Sequence, residues 1–221
     1  DRVAALCVFD DIIEHCSADG GADRYLGTLL PALLQYSTDE HVGVRQAAVY
    51  GLGVAAEHSR ALDEASLQQA AQKLIEVVDH PLAFGEDNAT ASDNAVSALG
   101  KVCRRSEAIA AVGLPRWLAK LPLGADKEEA RAVHKTLVEM CEATNVNLLG
   151  ASQERLPEII CVFGQVLDSD VLDDDIAPRI VNILRQVRQG LPHVLQALPT
   201  HPRFAKLTPE QRTTLERALS S

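Results

Sequence analysis

Apolar residues recur along this chain at helical spacing, and the stripes they form recur in turn every 38 to 47 residues. Val44, Ala47, Ala48, Gly51, Leu52 and Ala55 fall at i, i+3, i+4, i+7, i+8 and i+11, which lines one face of a helix. Ala5, Phe9, Ile12, Ile13 and Cys16 form a second stripe, and Ala91, Ala95, Ala98, Leu99 and Val102 another. Aligning every second stripe on its central large apolar residue gives Phe9, Leu52, Leu99, Leu137 and Leu184, in steps of 43, 47, 38 and 47. Four residues before each anchor stand Ala5, Ala48, Ala95, Val133 and Ile180, small or β-branched positions that let neighbouring helices approach. No β-type alternation of any length appears. A unit of this size buries its apolar face only by stacking on copies of itself. The pattern therefore predicts an all-α fold, an α-α superhelix.

Breaks in the pattern set the expected boundaries. Gly20-Gly21, Pro81, Gly124 and Gly150 interrupt the stripes. Asp126 with Glu129, and Thr208-Pro209-Glu210-Gln211, read as capping-box helix starts. One solenoid over residues 1–221 follows: a leading helix over 2–16, four helix pairs over about 22–58, 63–104, 107–144 and 152–189, and a capping helix within 191–219. The repeat length is that of HEAT and armadillo arrays. Asp39, then Val44-Arg45, Ala48 and Leu52 match the HEAT pattern, in which such an Asp and Arg form a polar ladder between repeats. Asp39 and Arg45 are accordingly the expected ladder residues.

Charge narrows the partners. Lys and Arg number 21 against 31 Asp and Glu, a net charge of −10, which disfavours direct contact with nucleic acid and favours basic partners. No apolar run approaches the ~18 residues of a membrane span. Cys7, Cys16, Cys103, Cys141 and Cys161 include no C-x-x-C pair and read as reduced, mostly buried thiols. The chain opens at Asp1 inside a helical pattern, as a piece of a longer protein would.

No catalytic, metal or cofactor constellation emerges, so a binding scaffold rather than an enzyme is expected. His15 and Cys16 are adjacent on a helix and point about 100° apart. The run Asp168, Asp170, Asp173, Asp174, Asp175 fails as a calcium loop, because its sixth position is Asp173 and its twelfth Arg179. Asn88-Ala89-Thr90 is a chance glycosylation triplet. Exposed faces carry the remaining signal. Asp10, Asp11 and Glu14 lie opposite the first stripe, and Glu14, Glu57, Arg104, Glu142 and Gln189 stand five residues past successive anchors. An intermittent acidic line for a Lys/Arg-rich segment is one account of them; ordinary solvated helix faces are the other.

Longer blocks resemble a known family. Leu6-Cys7-Val8-Phe9-Asp10-Asp11-Ile12-Ile13-Glu14-His15-Cys16, Val44-Arg45-Gln46-Ala47-Ala48-Val49-Tyr50-Gly51-Leu52-Gly53-Val54, Pro115-Arg116-Trp117-Leu118 with Leu121-Pro122-Leu123, and Asp126-Lys127-Glu128-Glu129-Ala130 resemble the C-terminal HEAT repeats of the karyopherin-beta family. The resemblance implies a nuclear import receptor at work in cytoplasm and nucleus. Protein cargo with basic signals would dock on a concave wall, and Phe-Gly nucleoporins on the outer face. Ran-GTP would bind through N-terminal repeats outside this chain. Family geometry would put Asp10, Asp11, Glu14, Tyr50, Glu57 and Asp93 on the cargo wall. Trp117 reads as core or, if exposed, as part of an outward nucleoporin pocket. The competing class is a structural HEAT subunit holding a fixed partner through apolar contact.

Overall fold

A computed structural model describes residues 1–16, 20 and 23–220. Gly21 and residue 22, the expected start of the first pair, lie outside them. The described residues are all-α with no strand, as the stripes predict. No described helix is long and apolar enough to cross a membrane. The chain divides into two compact units, Asp1–Lys120 and Leu121–Ser221.

Among the described residues six helices build the first unit: α1 (Arg2–Cys16), α2 (Asp23–Tyr36), α3 (Val42–His58), α4 (Glu64–Val78), α5 (Ala89–Cys103) and α6 (Glu107–Ala119). They form two rows. Helices α1, α3 and α5 pack side by side in one, and α2, α4 and α6 in the other, with α2 on α3, α4 on α5 and α5 on α6 across them. All six residues of the α3 stripe are buried. Close approach in the first row rests on small residues: a methyl added at Gly53 would stand 3.0 Å from Ala98 of α5. Such contacts bring backbones together where side chains of ordinary size would hold them apart.

Chain ends are tied by polar side chains. Ser59, just past α3, donates to Asp23 at the start of α2 at 2.5 Å, and Ser106, just past α5, donates to Glu64 at the start of α4 at 2.6 Å. Each acid also meets the positive end of its helix dipole. Arginines satisfy carbonyls that the helices leave open: Arg105 donates to the carbonyls of Ala56 and Ser59 where α3 ends.

The second unit holds α7 (Lys127–Glu142), the single turn α8 (Val146–Leu149), α9 (Leu156–Val166), α10 (Ile176–Gly190), the short α11 (Pro192–Ala197) and α12 (Pro209–Ser220). Helix α10 packs on α7 and α12, and α9 on α11 and α12. The capping box at Thr208 forms in full, and Asp126 supplies the capping half of the other. Asp126 accepts from the backbone N–H of Glu128 and Glu129, each at 3.2 Å. Thr208 and Gln211 exchange side-chain and backbone bonds at 3.0 and 3.2 Å.

The unit boundary at Lys120 falls inside the segment 107–144 taken as one helix pair. Within the segment 191–219 the chain forms α11, two 3-10 turns and then α12, which starts at the Thr208-Pro209 box; Pro192, Pro199, Pro202 and Pro209 each remove a helix donor and break the segment up.

Buried His134 on α7 fastens a loop of this unit: its Nε2 accepts from the Leu123 N–H at 3.2 Å, and its Nδ1 side meets the Val171 carbonyl at 3.0 Å. The first contact needs an unprotonated Nε2. Burial pushes the His134 pKa below its ordinary 6.5, against the opposing pull of the Val171 carbonyl. The unfolded chain therefore binds a proton below pH 6.5 that the folded chain refuses, and stability falls as pH drops through that value. Hydrogen exchange at the Leu123 amide should quicken relative to its intrinsic rate between pH 7.5 and 5.5. A His134→Gln variant should lack that acceleration.

Candidate functional site

The expected acidic face of α1 is rotated. Leu6, Asp10 and Ile13 are the buried positions, whereas Ala5 and Cys16 are exposed and Phe9 and Ile12 half-buried. Asp10 is only 3% exposed, so its place on a cargo wall is withdrawn. Its carboxylate lies where a side chain on Gly51 of α3 would be, 2.2 Å from the position of a Cβ, and its Oδ1 has no hydrogen-bond partner. Burial first, and then the charges of Asp11 and Glu14, push the Asp10 carboxyl up to about 7. Asp93 is withdrawn too. It is 3% exposed on α5, a helix enclosed on nearly every side. Trp117 is fully buried against Gly100, which removes it from any outer-face pocket.

What remains at the surface gathers at the C-terminal ends of α1 and α3. An open groove of about 590 Å³ there is lined by Glu14, His15, Glu57, His58, Arg60 and Arg105, among others. Asp11 is exposed and Glu14 half-buried, one turn apart on the same helix face. Glu14 accepts a 3.2 Å bond from the Tyr50 hydroxyl of α3. Asp11 and Glu14 make no ion pair among the described residues. Glu57 differs. It pairs with Lys101 of α5 and with Arg104 just past it, both at 3.1 Å. Burial alone would push its pKa up, but the two cations outweigh burial and hold it below the ordinary range.

The expected acidic line is therefore not a line. In the first unit Glu57 is neutralised by Arg104, the residue at the equivalent position of the next repeat. In the second, Arg179 clasps Glu142 through two bonds of 3.0 and 2.5 Å. Five residues past an anchor is a place where adjacent repeats pair opposite charges. Surface pairs of this kind contribute only about 0–1 kcal/mol each.

Arg45 takes a ladder position with different partners. It donates to the backbone carbonyl of Asp39 at 2.6 Å and to the side chain of Asn88 in the next repeat, while the Asp39 carboxylate accepts from Arg2 at 3.1 Å. Adjacent repeats are thus connected at this edge by an Asp39–Arg2 ion pair on one side and by the Arg45–Asn88 bond on the other.

All five cysteines are free, with Cys7 and Cys16 exposed against expectation. Burial pushes the Cys103 thiol up to about 12 and Cys161 up to about 11, and burial with the Glu142 charge pushes Cys141 up to about 12, which leaves these three protonated and poorly nucleophilic. Among the described residues no group of His, Cys, Asp and Glu is arranged to hold a metal ion.

The HEAT repeat family model matches residues 29–59, the second half of α2 and all of α3 through Ser59. That is the segment carrying Asp39, Arg45 and the fully buried stripe. Importin subunit beta-3 of Saccharomyces cerevisiae is 22% identical over 197 residues, covering 86% of this chain. The chain carries HEAT repeats and is related to importin subunit beta-3. It spans 17% of that relative's length. A karyopherin-like helical-repeat protein agrees with the two-row packing of the first unit.

Proposed function

We propose that the chain serves as a cargo-binding scaffold of a nuclear import receptor and takes a Lys/Arg-rich segment of a protein at the α1–α3 end. The supporting observation is the contrast in charge pairing. Glu57, Asp79 and Glu142 each pair with cations of the next repeat, whereas Asp11 and Glu14 beside the groove are left to solvent and a tyrosine hydroxyl. Unpaired acids on a surface of net negative charge attract cations and speed encounter at low salt. Exposed Tyr25 on α2 and Val112 on α6 supply apolar contacts for Phe-Gly nucleoporins on the other row. Ran-GTP would engage repeats beyond those in this chain. Shuttling between cytoplasm and nucleus follows from this reading.

Fluorescence anisotropy with a labelled Lys/Arg-rich peptide tests the cargo site. Binding should weaken steeply as salt rises past the ~10 Å screening length of 0.1 M. Asp11→Asn with Glu14→Gln should lower affinity roughly fivefold, about 1 kcal/mol. An undetectable complex, or one indifferent to both substitutions, rejects the site. The neutralised acids at Glu57 and Glu142 favour a second reading, a structural subunit that holds a fixed partner by apolar contact. Binding to that partner would be nearly salt-independent.

A further inference from the structure

The turn between α4 and α5 presents an unusual surface. Leu82 is 64% exposed and Phe84 44%, two large apolar side chains within three residues. Neither is there by looseness. The Ala83 amide donates to the His80 carbonyl at 2.9 Å, Gly85 to Leu82 at 3.1 Å, and Asn88 to Gly85 at 2.9 Å. The Ser92 hydroxyl closes on the Ala83 carbonyl at 2.5 Å, and the Asn88 amide on the Leu82 carbonyl at 3.1 Å. A turn bonded this fully cannot fold Leu82 inward without breaking several of these contacts. Ala83, between the two, is the residue that goes into the core.

Beside Leu82 the α2–α3 and α4–α5 turns enclose a cavity of about 470 Å³, with Val77 and Ala83 supplying apolar wall and Glu40 and Glu76 acidic wall. Of its basic side chains, Arg45 is held by the Asp39 carbonyl and the Asn88 side chain, and the His80 Nδ1 accepts from the Leu82 N–H at 3.2 Å. Glu76 pairs with Lys73 at 3.0 Å. Glu40 at the cavity, and Glu86 and Asp87 on the exposed turn, make no ion pair among the described residues. The far side of Phe84 is covered by Lys120, which stands 5.7 Å from the ring centroid, so Leu82 is the open apolar anchor.

We infer that this cavity is a second protein-docking site, which takes a short linear segment carrying one bulky aliphatic side chain flanked by lysine or arginine. The aliphatic group enters against Leu82, Val77 and Ala83, and the flanking cations meet Glu40, Glu86 and Asp87. Apolar wall with Glu40 beside it, and Glu86 and Asp87 on the adjoining exposed turn, select that combination over a purely basic or purely apolar segment. The site uses none of Asp11, Glu14 or Glu57, so it stands or falls apart from the α1–α3 end.

The probe is a labelled peptide, Gly-Lys-Lys-Leu-Arg-Lys-Gly, read by anisotropy against the full chain, with a version carrying serine for leucine. Leu82→Ser, at an exposed position that leaves the fold intact, should weaken the leucine peptide about tenfold, the size expected for losing one aliphatic contact. It should leave the serine peptide unaffected. Glu40→Gln with Glu86→Gln should weaken both peptides and flatten the salt dependence. Equal affinity of the two peptides, or of the parent and Leu82→Ser for the leucine peptide, overturns the site, as does absence of binding. Loss of binding through Glu14→Gln but not Leu82→Ser would assign the peptide to the α1–α3 end alone.

Discussion

Replacing Asp10 by Asn should stabilise the protein above pH 7 and weaken it at pH 4, where the native carboxyl is protonated and only the cost of the amide remains. The carboxylate is buried between α1 and α3 with an unpartnered oxygen, and its pKa stands at about 7 against an ordinary value of 3.8. The charged groups acting on it are Asp11 and Glu14 of its own helix. Gly51 of α3 and Leu33 of α2 meet it or crowd the same space with no charge to offer. A raised carboxyl pKa means that the folded state holds its proton more tightly than the unfolded chain. Stability is then greatest below pH 3.8, falls as pH rises towards 7, and levels off beyond it. A shift of this size corresponds to a penalty on the order of 4 kcal/mol at pH 8. The amide of Asn keeps the shape and removes the charge, but leaves its own buried dipole, worth roughly 1–3 kcal/mol if unpaired. The net gain should be about 1–3 kcal/mol at pH 8, seen as a rise in Tm of several degrees. A carboxyl carbon resonance of Asp10 titrating near pH 7 would fix the cause independently. A midpoint near 4, or an Asn variant no more stable at pH 8, would contradict the buried, unpaired placement. His134 in the second unit works with the opposite sign, so acidification should strengthen one unit while it weakens the other.

Why α1 misled the sequence reading, while α3 did not, is a matter of how unique each apolar face is. On α3 the positions Val44, Ala47, Ala48, Gly51, Leu52 and Ala55 define the buried face without rival. On α1, Leu6, Val8, Phe9, Ile12 and Ile13 spread around the wheel, and two stripes about one residue apart fit nearly as well. The choice is made by Gly51, some forty residues away, whose missing side chain opens a place for Asp10. Nothing local to α1 carries that information. Asp93 failed for a related reason: α5 is packed by α3, α4 and α6, so even its polar positions are enclosed. Asp39 and Arg45 each reach a neighbouring repeat, Asp39 back to Arg2 and Arg45 on to Asn88, and Arg45 also takes the Asp39 carbonyl, because a long guanidinium reaches open carbonyls as readily as side-chain oxygens. Charge pairing between equivalent positions, such as Glu57 with Arg104, was readable in the spacing once both were taken as neighbours rather than as samples of one wall. The exposed Leu82 and Phe84 had a signal too: apolar residues after Pro81 and before Gly85, outside any stripe, have no helix to bury them.

Trp117→Ala should be among the most damaging single substitutions in the first unit, although the resemblance also allowed this residue a surface role. The side chain is fully buried, and Gly100 on α5 accommodates it: a Cβ there would stand 2.8 Å from Nε1. Truncating a buried tryptophan costs about 3–5 kcal/mol through lost burial and the cavity left behind. The indole N–H is itself buried without a partner, a liability of roughly 1–3 kcal/mol. Trp117→Phe removes that liability along with some volume, so it should cost far less than Trp117→Ala. Denaturant unfolding of the three proteins gives the order directly. As this is the chain's single tryptophan, its fluorescence reports the same environment: emission should be blue-shifted and protected from iodide quenching until the unit unfolds. A solvent-exposed emission, or Trp117→Ala as stable as the parent, would return the residue to the surface and with it the outward pocket. The expected result confines apolar docking on this row to residues such as Tyr25 and Val112, and gives Trp117 the task of fastening α6 to α5.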